Sequence, residues 1–166
     1  MIKAAFFDMF ETLVTLFVGR TYFGENMAAD VGADPAVFLK EWHSTEAERS
    51  TGKYTIKAGL EIVLKRLGLY SGDKVKLVSA KRHQALSDTF SDIPEKSFQL
   101  LEELKKRDIR IGLITNTFSD ERELIRTSRL FLYFDLALIS YEQGILKPDR
   151  EMFRRMTEQP IYPVRS

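Results

Sequence analysis

The chain has 166 residues, 44% of them hydrophobic and 30% charged, a net charge of +1 and no cysteine. This composition excludes a disordered or collagen-like chain and gives no electrostatic ground for binding nucleic acid or an acidic membrane. It also excludes disulfides, thiolate nucleophiles and cysteine-ligated metals.

No apolar run is long enough to span a bilayer; the best, Leu130 to Ile139, is interrupted by Asp135. The chain enters a strand pattern directly, with no signal-peptide pattern, so the expected location is the cytoplasm. Ile2 and Ala4 to Phe7 form that first apolar block, which reads as a short strand buried on both faces and stops at Asp8. Ligands of open α/β sheets bind outside the carboxyl ends of the strands. Asp8 is therefore a candidate nucleophile, base or metal ligand, although a lone Asp there reads more readily as a cap of the next turn.

From about Phe17 to about Phe90 the pattern predicts four helices. Phe23, Met27 and Val31 share the face of the first, which Gly32 closes. The second runs from Pro35 towards Arg49 with Phe38, Leu39 and Trp42 as its apolar side. Thr55 caps a third, carrying Ile56, Leu60, Val63, Leu64 and Leu67 and stopped by Gly68. Ser71 or Asp73 caps a fourth, with Val75, Val78, Ala85 and Leu86 inward. Four successive amphipathic helices predict a small antiparallel bundle. Pro94 suits the first turn of a further helix with Phe98, Leu101 and Leu104 buried. Lys105 to Arg107 complement its carboxyl end, and Asp108 terminates it in the left-handed conformation. A strand from Ile109 ends at Thr115-Asn116, a helix covers 120–128 and a third strand covers 134–139. Residues 140–147 read as a loop, and Pro148-Asp149 opens a last helix to about Glu158.

Strands alternating with helices predict an α/β fold: a Rossmann-like parallel sheet with helices on both faces, plus an inserted helical-bundle cap. The predicted core is 1–15 and 92–166, and the predicted cap is 16–91, placed to exclude water and select substrate. Asp8 ends the first strand, Thr115 ends the second and Lys147 follows the third. A carboxylate, a hydroxyl and an ammonium at one sheet edge suit phosphoryl transfer: the first attacks phosphorus while the others hold its equatorial oxygens. Taken singly, Thr115 reads as an ordinary strand end and Lys147 as a solvated lysine.

Together these residues resemble the haloacid dehalogenase-like (HAD) hydrolases. Asp8, Thr12 and Leu13-Val14 resemble that family's first motif, Thr115 with Asn116 its second, and Lys147 before Pro148-Asp149 its third. The resemblance implies Asp8 as nucleophile, Thr115, Asn116 and Lys147 as phosphate-binding residues, and Mg²⁺ held by Asp8 and the backbone carbonyl of Phe10. It implies Mg²⁺-dependent hydrolysis of a small phosphomonoester through an aspartyl-phosphate; the expected partner is a small-molecule substrate, and the near-neutral charge and short apolar runs lead to the expectation of no nucleic-acid or membrane partner.

Two departures open alternatives. Family phosphatases carry a second Asp where this chain has Phe10, which transfers no proton and resembles the metal-independent 2-haloacid dehalogenase branch. Glu41, His43, Glu46 and Glu48 cluster on the second helix as replacement acids, although a solvated charged face is the simpler reading. The family's fourth motif, an apolar strand ending in acidic Mg²⁺ ligands, has no counterpart in the tail from Thr157 to Ser166, where two prolines argue against a core strand. The expectation is a chain truncated before that motif, with a third reading as a catalytically inactive member. Strand 2–7 would then be an exposed edge prone to self-association.

Overall fold

A computed structural model describes residues 2–16 and 21–158. The tail beyond Glu158, on which the expected truncation turns, lies outside the described residues. Three parallel strands, β1 (Ala4–Phe7), β2 (Arg110–Thr115) and β3 (Leu136–Ile139), form one sheet in the order β1-β2-β3. Phe7 pairs with Leu113, and Leu113 in turn with Ala137. All of β2 beyond Arg110 is buried, as an apolar central strand should be. β1 differs from expectation: its four residues are only half-buried. The reason is position, because among the described residues no strand pairs with its outer edge.

Helices cover both faces. Ile111, Leu113 and Ile139 pack with Phe98 and Leu101 of α6 (Glu95–Lys106) and Ile125 of α7 (Ser119–Thr127). Ile114 and Leu138 pack on the opposite face with Met152 of α9 (Arg150–Glu158). Asp108 adopts the predicted left-handed conformation after α6, with φ 54°. The third strand is shorter than 134–139 because a 3₁₀ turn, Arg129–Tyr133, precedes it. The expected loop after it begins with a short helix, α8 (Ser140–Gln143), ended by left-handed Gly144.

The insertion between β1 and α6 is helical, as predicted, but among the described residues has five helices: α1 (Gly24–Val31), α2 (Pro35–Ser44), α3 (Glu46–Ser50), α4 (Ile56–Arg66) and α5 (Gly72–Ser91). Asp34 caps α2 and Thr55 caps α4 through their side chains. Met27, Phe38, Trp42, Leu60, Val63, Val75 and Val78 form the insertion's own core. The predicted second helix breaks at Thr45. The Thr45 hydroxyl and the Arg49 guanidinium both donate to the Trp42 carbonyl, at 3.0 and 2.7 Å. Side chains that bond local carbonyls compete with the helical ladder, and periodicity alone does not reveal that competition. Among the described residues, no helix is long and apolar enough to cross a membrane.

The insertion is tied to the sheet domain at a few points. Ser119 Oγ accepts from Ile56 N at 2.9 Å, and Ser140 Oγ donates to the Ser50 carbonyl at 2.8 Å. Gly52 sits at the same seam with φ 79°, and a Cβ there would overlap the Tyr141 carbonyl oxygen. Gly52→Ala is therefore expected to cost about 2–4 kcal/mol, from backbone strain plus overlap. Thermal unfolding of the variant beside the parent checks this; an unchanged midpoint would mean the seam yields freely.

Candidate active site

The parallel register brings the three predicted strand-end residues to one edge. Asp8 follows β1 directly, and Thr115 closes β2 level with Ile139. Asp8 Oδ1 accepts from Met9 N at 2.8 Å, which fixes the carboxylate against the turn that follows. Asp8 Oδ2 accepts from Lys147 Nζ at 2.6 Å, across 139 residues of sequence. Their side chains are 42% and 21% exposed, so the pair is open to a ligand. The turn after Asp8 is compact: Met9 is fully buried, Glu11 is left-handed with φ 54°, and Leu13 N and Val14 N both donate to the Met9 carbonyl. Leu13 and Val14 enter the core while Thr12 stays exposed. Phe10 packs edge-on against Phe90, with ring centroids 6.2 Å apart.

Thr115 is fully buried, and its hydroxyl makes only a long, 3.5 Å contact with the Asn116 carbonyl. Asn116 has a role the sequence did not disclose. Its Nδ2 donates to the Lys147 carbonyl at 3.0 Å, and its Oδ1 accepts from Lys147 N at 2.8 Å. This pair of bonds clamps the backbone that carries the lysine. The Lys147–Pro148 peptide is cis. Ser140, also unpredicted, is fully buried: its Oγ accepts from Thr117 N at 2.9 Å and so fixes the loop after β2.

The four acidic or basic residues proposed on the second helix separate. Glu41 pairs with Arg66 at 3.2 Å. Glu48 is half-buried. His43 and Glu46 line a cleft of about 470 Å³ with Asn116, Thr117, Phe118 and Leu146, between the insertion and the sheet edge. Beside this cleft lies a charged cluster that periodicity concealed. Arg82 of α5 donates to Asp120 at 2.6 Å and to Glu121 at 2.7 Å, with the arginine and Glu121 both buried. Burial pushes the Glu121 carboxyl above its ordinary range, and Arg82 pulls it partly back. Arg49 is buried too; burial, then Arg82, lower its guanidinium to about 10.

The Asp8 carboxylate, whose oxygens each take one hydrogen bond and keep a free lone pair, offers hard oxygen donors to a cation. Among the described residues, no three His, Asp or Glu side chains converge as a ready-made metal site. A carboxylate is the kind of ligand Mg²⁺ takes from a protein, with waters and substrate oxygens as its other ligands.

The sequence pattern of the haloacid dehalogenase-like hydrolases matches residues 2–159. The chain belongs to the haloacid dehalogenase-like hydrolases. Among solved HAD structures, the enzyme BT-2542 of Bacteroides thetaiotaomicron is 20% identical, with a TM-score of 0.68 over 95% of this chain and 77% of that one. The same enzyme with magnesium and inorganic phosphate superposes with a TM-score of 0.65, at 21% identity over 95% of this chain and 78% of that one. The L-2-haloacid dehalogenase of Xanthobacter autotrophicus gives 0.53 at 19% identity, over 95% of this chain and 64% of its own. At these identities the likeness is one of fold. The pyrimidine 5'-nucleotidase YjjG of Escherichia coli is 44% identical over 59 residues, which is 34% of this chain and 26% of that protein.

Proposed function

We propose that this HAD hydrolase cleaves small phosphomonoesters, with helices α1–α5 acting as a cap over the site. The observation that carries the reading is the 2.6 Å contact between Asp8 and Lys147 at the carboxyl edge of the sheet. An Asp8 oxygen attacks phosphorus, and the bond to the ester oxygen breaks. Lys147 neutralises charge on the equatorial oxygens, and the Thr115 hydroxyl gives up its long contact with the Asn116 carbonyl to donate to one of them. Asn116 keeps Lys147 in reach. Water then attacks phosphorus, which frees phosphate and restores the Asp8 carboxylate. Mg²⁺ on Asp8 and the Phe10 carbonyl would add charge neutralisation at the same phosphoryl group. Support for the metal comes from the structural neighbour crystallised with magnesium and phosphate. Phe10 gives the leaving oxygen no proton, so leaving groups that depart as stable anions should react best. Pyrimidine nucleoside monophosphates, suggested by the E. coli relative, leave through a poorly stabilised alkoxide and should react more slowly than aryl phosphates.

The test is release of phosphate from phenyl phosphate, with Mg²⁺ and with EDTA. Turnover is expected with Mg²⁺ and is expected to fall by about 10²-fold or more with chelator, the scale of losing one preorganised charge at the transferring group. Phe10 favours a second reading, in which Asp8 attacks carbon 2 of a 2-halo acid and expels halide, so that no proton is needed. Chloride release from 2-chloropropionate that is indifferent to EDTA, with phenyl phosphate inert, would establish that reading instead.

A further inference from the structure

Two hydrogen-bonded lines run from the insertion to neighbouring amides of the loop between β2 and α7. In the first, Ser140 Oγ donates to the Ser50 carbonyl at 2.8 Å and accepts from Thr117 N at 2.9 Å. In the second, Arg82 Nη2 donates to Glu121 Oε1 at 2.7 Å, and Glu121 Oε2 accepts from Phe118 N at 2.9 Å. Ser50, Arg82, Thr117, Glu121 and Ser140 are all buried, so a bond lost among them leaves a polar group unpaired. A hydroxyl has one proton to give. For Ser140 the nearer acceptor is Ser50 of the insertion, and the Thr117 carbonyl, at 3.4 Å, is the farther one.

The loop held in this way is the one that controls the Lys147 ammonium. Asn116 directly precedes the two amides and bonds both backbone groups of Lys147. On its other side, Thr115 is fixed in the sheet level with Ile139. Asn116 is therefore gripped from both sides, which fixes where its side chain holds the lysine. Lys147 Nζ in turn meets Asp8. Contact passes without a gap from Ser50 and Arg82, through Ser140 and Glu121, to the loop, to Lys147 and to Asp8.

We propose that Ser140 and Glu121 are positioning residues for Lys147, through which the insertion sets the reach of the ammonium towards Asp8. The effect on turnover rests on the phosphomonoester reading; the relay itself does not. An ammonium misplaced by about 1 Å at a transferring phosphoryl group costs on the order of 10²-fold in rate.

Amide hydrogen exchange of the whole chain, followed by NMR, reads the relay without substrate. In Ser140→Ala the Lys147 amide, which donates to Asn116 Oδ1, is expected to exchange about tenfold faster, the scale of one hydrogen bond. Leu113 of β2 and Leu64 of α4 are the references and keep their parent rates. A merely structural loss of stability would move them as well. Glu121→Gln, nearly isosteric, removes the charge that Arg82 holds; it is expected to act in the same direction and carries the test if Ser140→Ala does not fold. In phosphate release from phenyl phosphate with Mg²⁺, kcat/KM is expected to fall by about 10–10²-fold in Ser140→Ala. Added to Asn116→Ala, the same substitution is expected to cost nothing further, because residues acting through one clamp are not additive. Lys147 exchange that is unchanged in the folded variants, or that rises only with the references, overturns the proposal, and so do losses of turnover that add in full. Faster Lys147 exchange in the variants of a parent that releases no phosphate supports the relay and sinks the phosphomonoester reading.

Discussion

Asp8→Asn is expected to lower turnover by roughly 10⁴-fold or more, because a neutral amide cannot attack phosphorus and no neighbour replaces it. The substitution is almost isosteric. The amide oxygen can still accept from Met9 N, as Asp8 Oδ1 does now. What goes is the charge facing Lys147 Nζ. That ion pair is partly solvated, so its loss should cost about 0–1 kcal/mol and shift the unfolding midpoint by only about 0–4 °C. The expected result is thus a folded protein with almost no activity. Phosphate release and thermal unfolding, measured on the same preparation, check both halves. Turnover surviving in the variant would remove Asp8 from the nucleophile's role and with it the covalent mechanism.

Arg82→Leu should be the most damaging change to stability. It leaves Asp120 and buried Glu121 without the cation that faces both. Breaking a buried pair on one side typically costs about 3–5 kcal/mol, which for a chain of this size is roughly 6–20 °C in unfolding midpoint. The loss should depend on pH. Burial already raises the Glu121 carboxyl, and Arg82 opposes that rise. Without Arg82 the folded-state value climbs further above the unfolded one. A carboxyl raised in the folded state favours folding below its unfolded value and loses that contribution as pH rises through the folded value. The gap between variant and parent should therefore widen from acid towards neutral pH. Adding Glu121→Gln should recover part of the loss and flatten this dependence. A gap that is constant with pH would mean that packing, not charge, is what Arg82 supplies.

The strand-end residues were legible because an apolar run that stops at a polar residue is a local signal, repeated at Asp8 and Thr115. Their order along the chain added the family resemblance. What escaped was whatever depends on partners distant in sequence. Asn116 clamps Lys147 across 31 residues, and nothing in the neighbourhood of either announces it. Arg82 and Glu121 lie on helices whose many charges read as solvated faces, yet both are buried. Arg49 was lost for the same reason, and the break at Thr45 because no proline or glycine marks it. The half-burial of β1 was hidden too, since a run of apolar residues reports what a strand could bury, not which neighbours it receives.

The seam around Ser140 bears on how this protein could be re-engineered or could diversify. Ser140 grips both the loop after β2 and the Ser50 carbonyl, while Ile56 leans on Ser119 and Arg82 on α7. The helical insertion therefore meets its host through backbone and side-chain contacts that gather around positions 49–56, 82 and 90. A transplanted insertion must reproduce those contacts and bring its own buried core to sit in the same pose. Exposed positions away from both are free to vary without disturbing the edge where Asp8 and Lys147 meet.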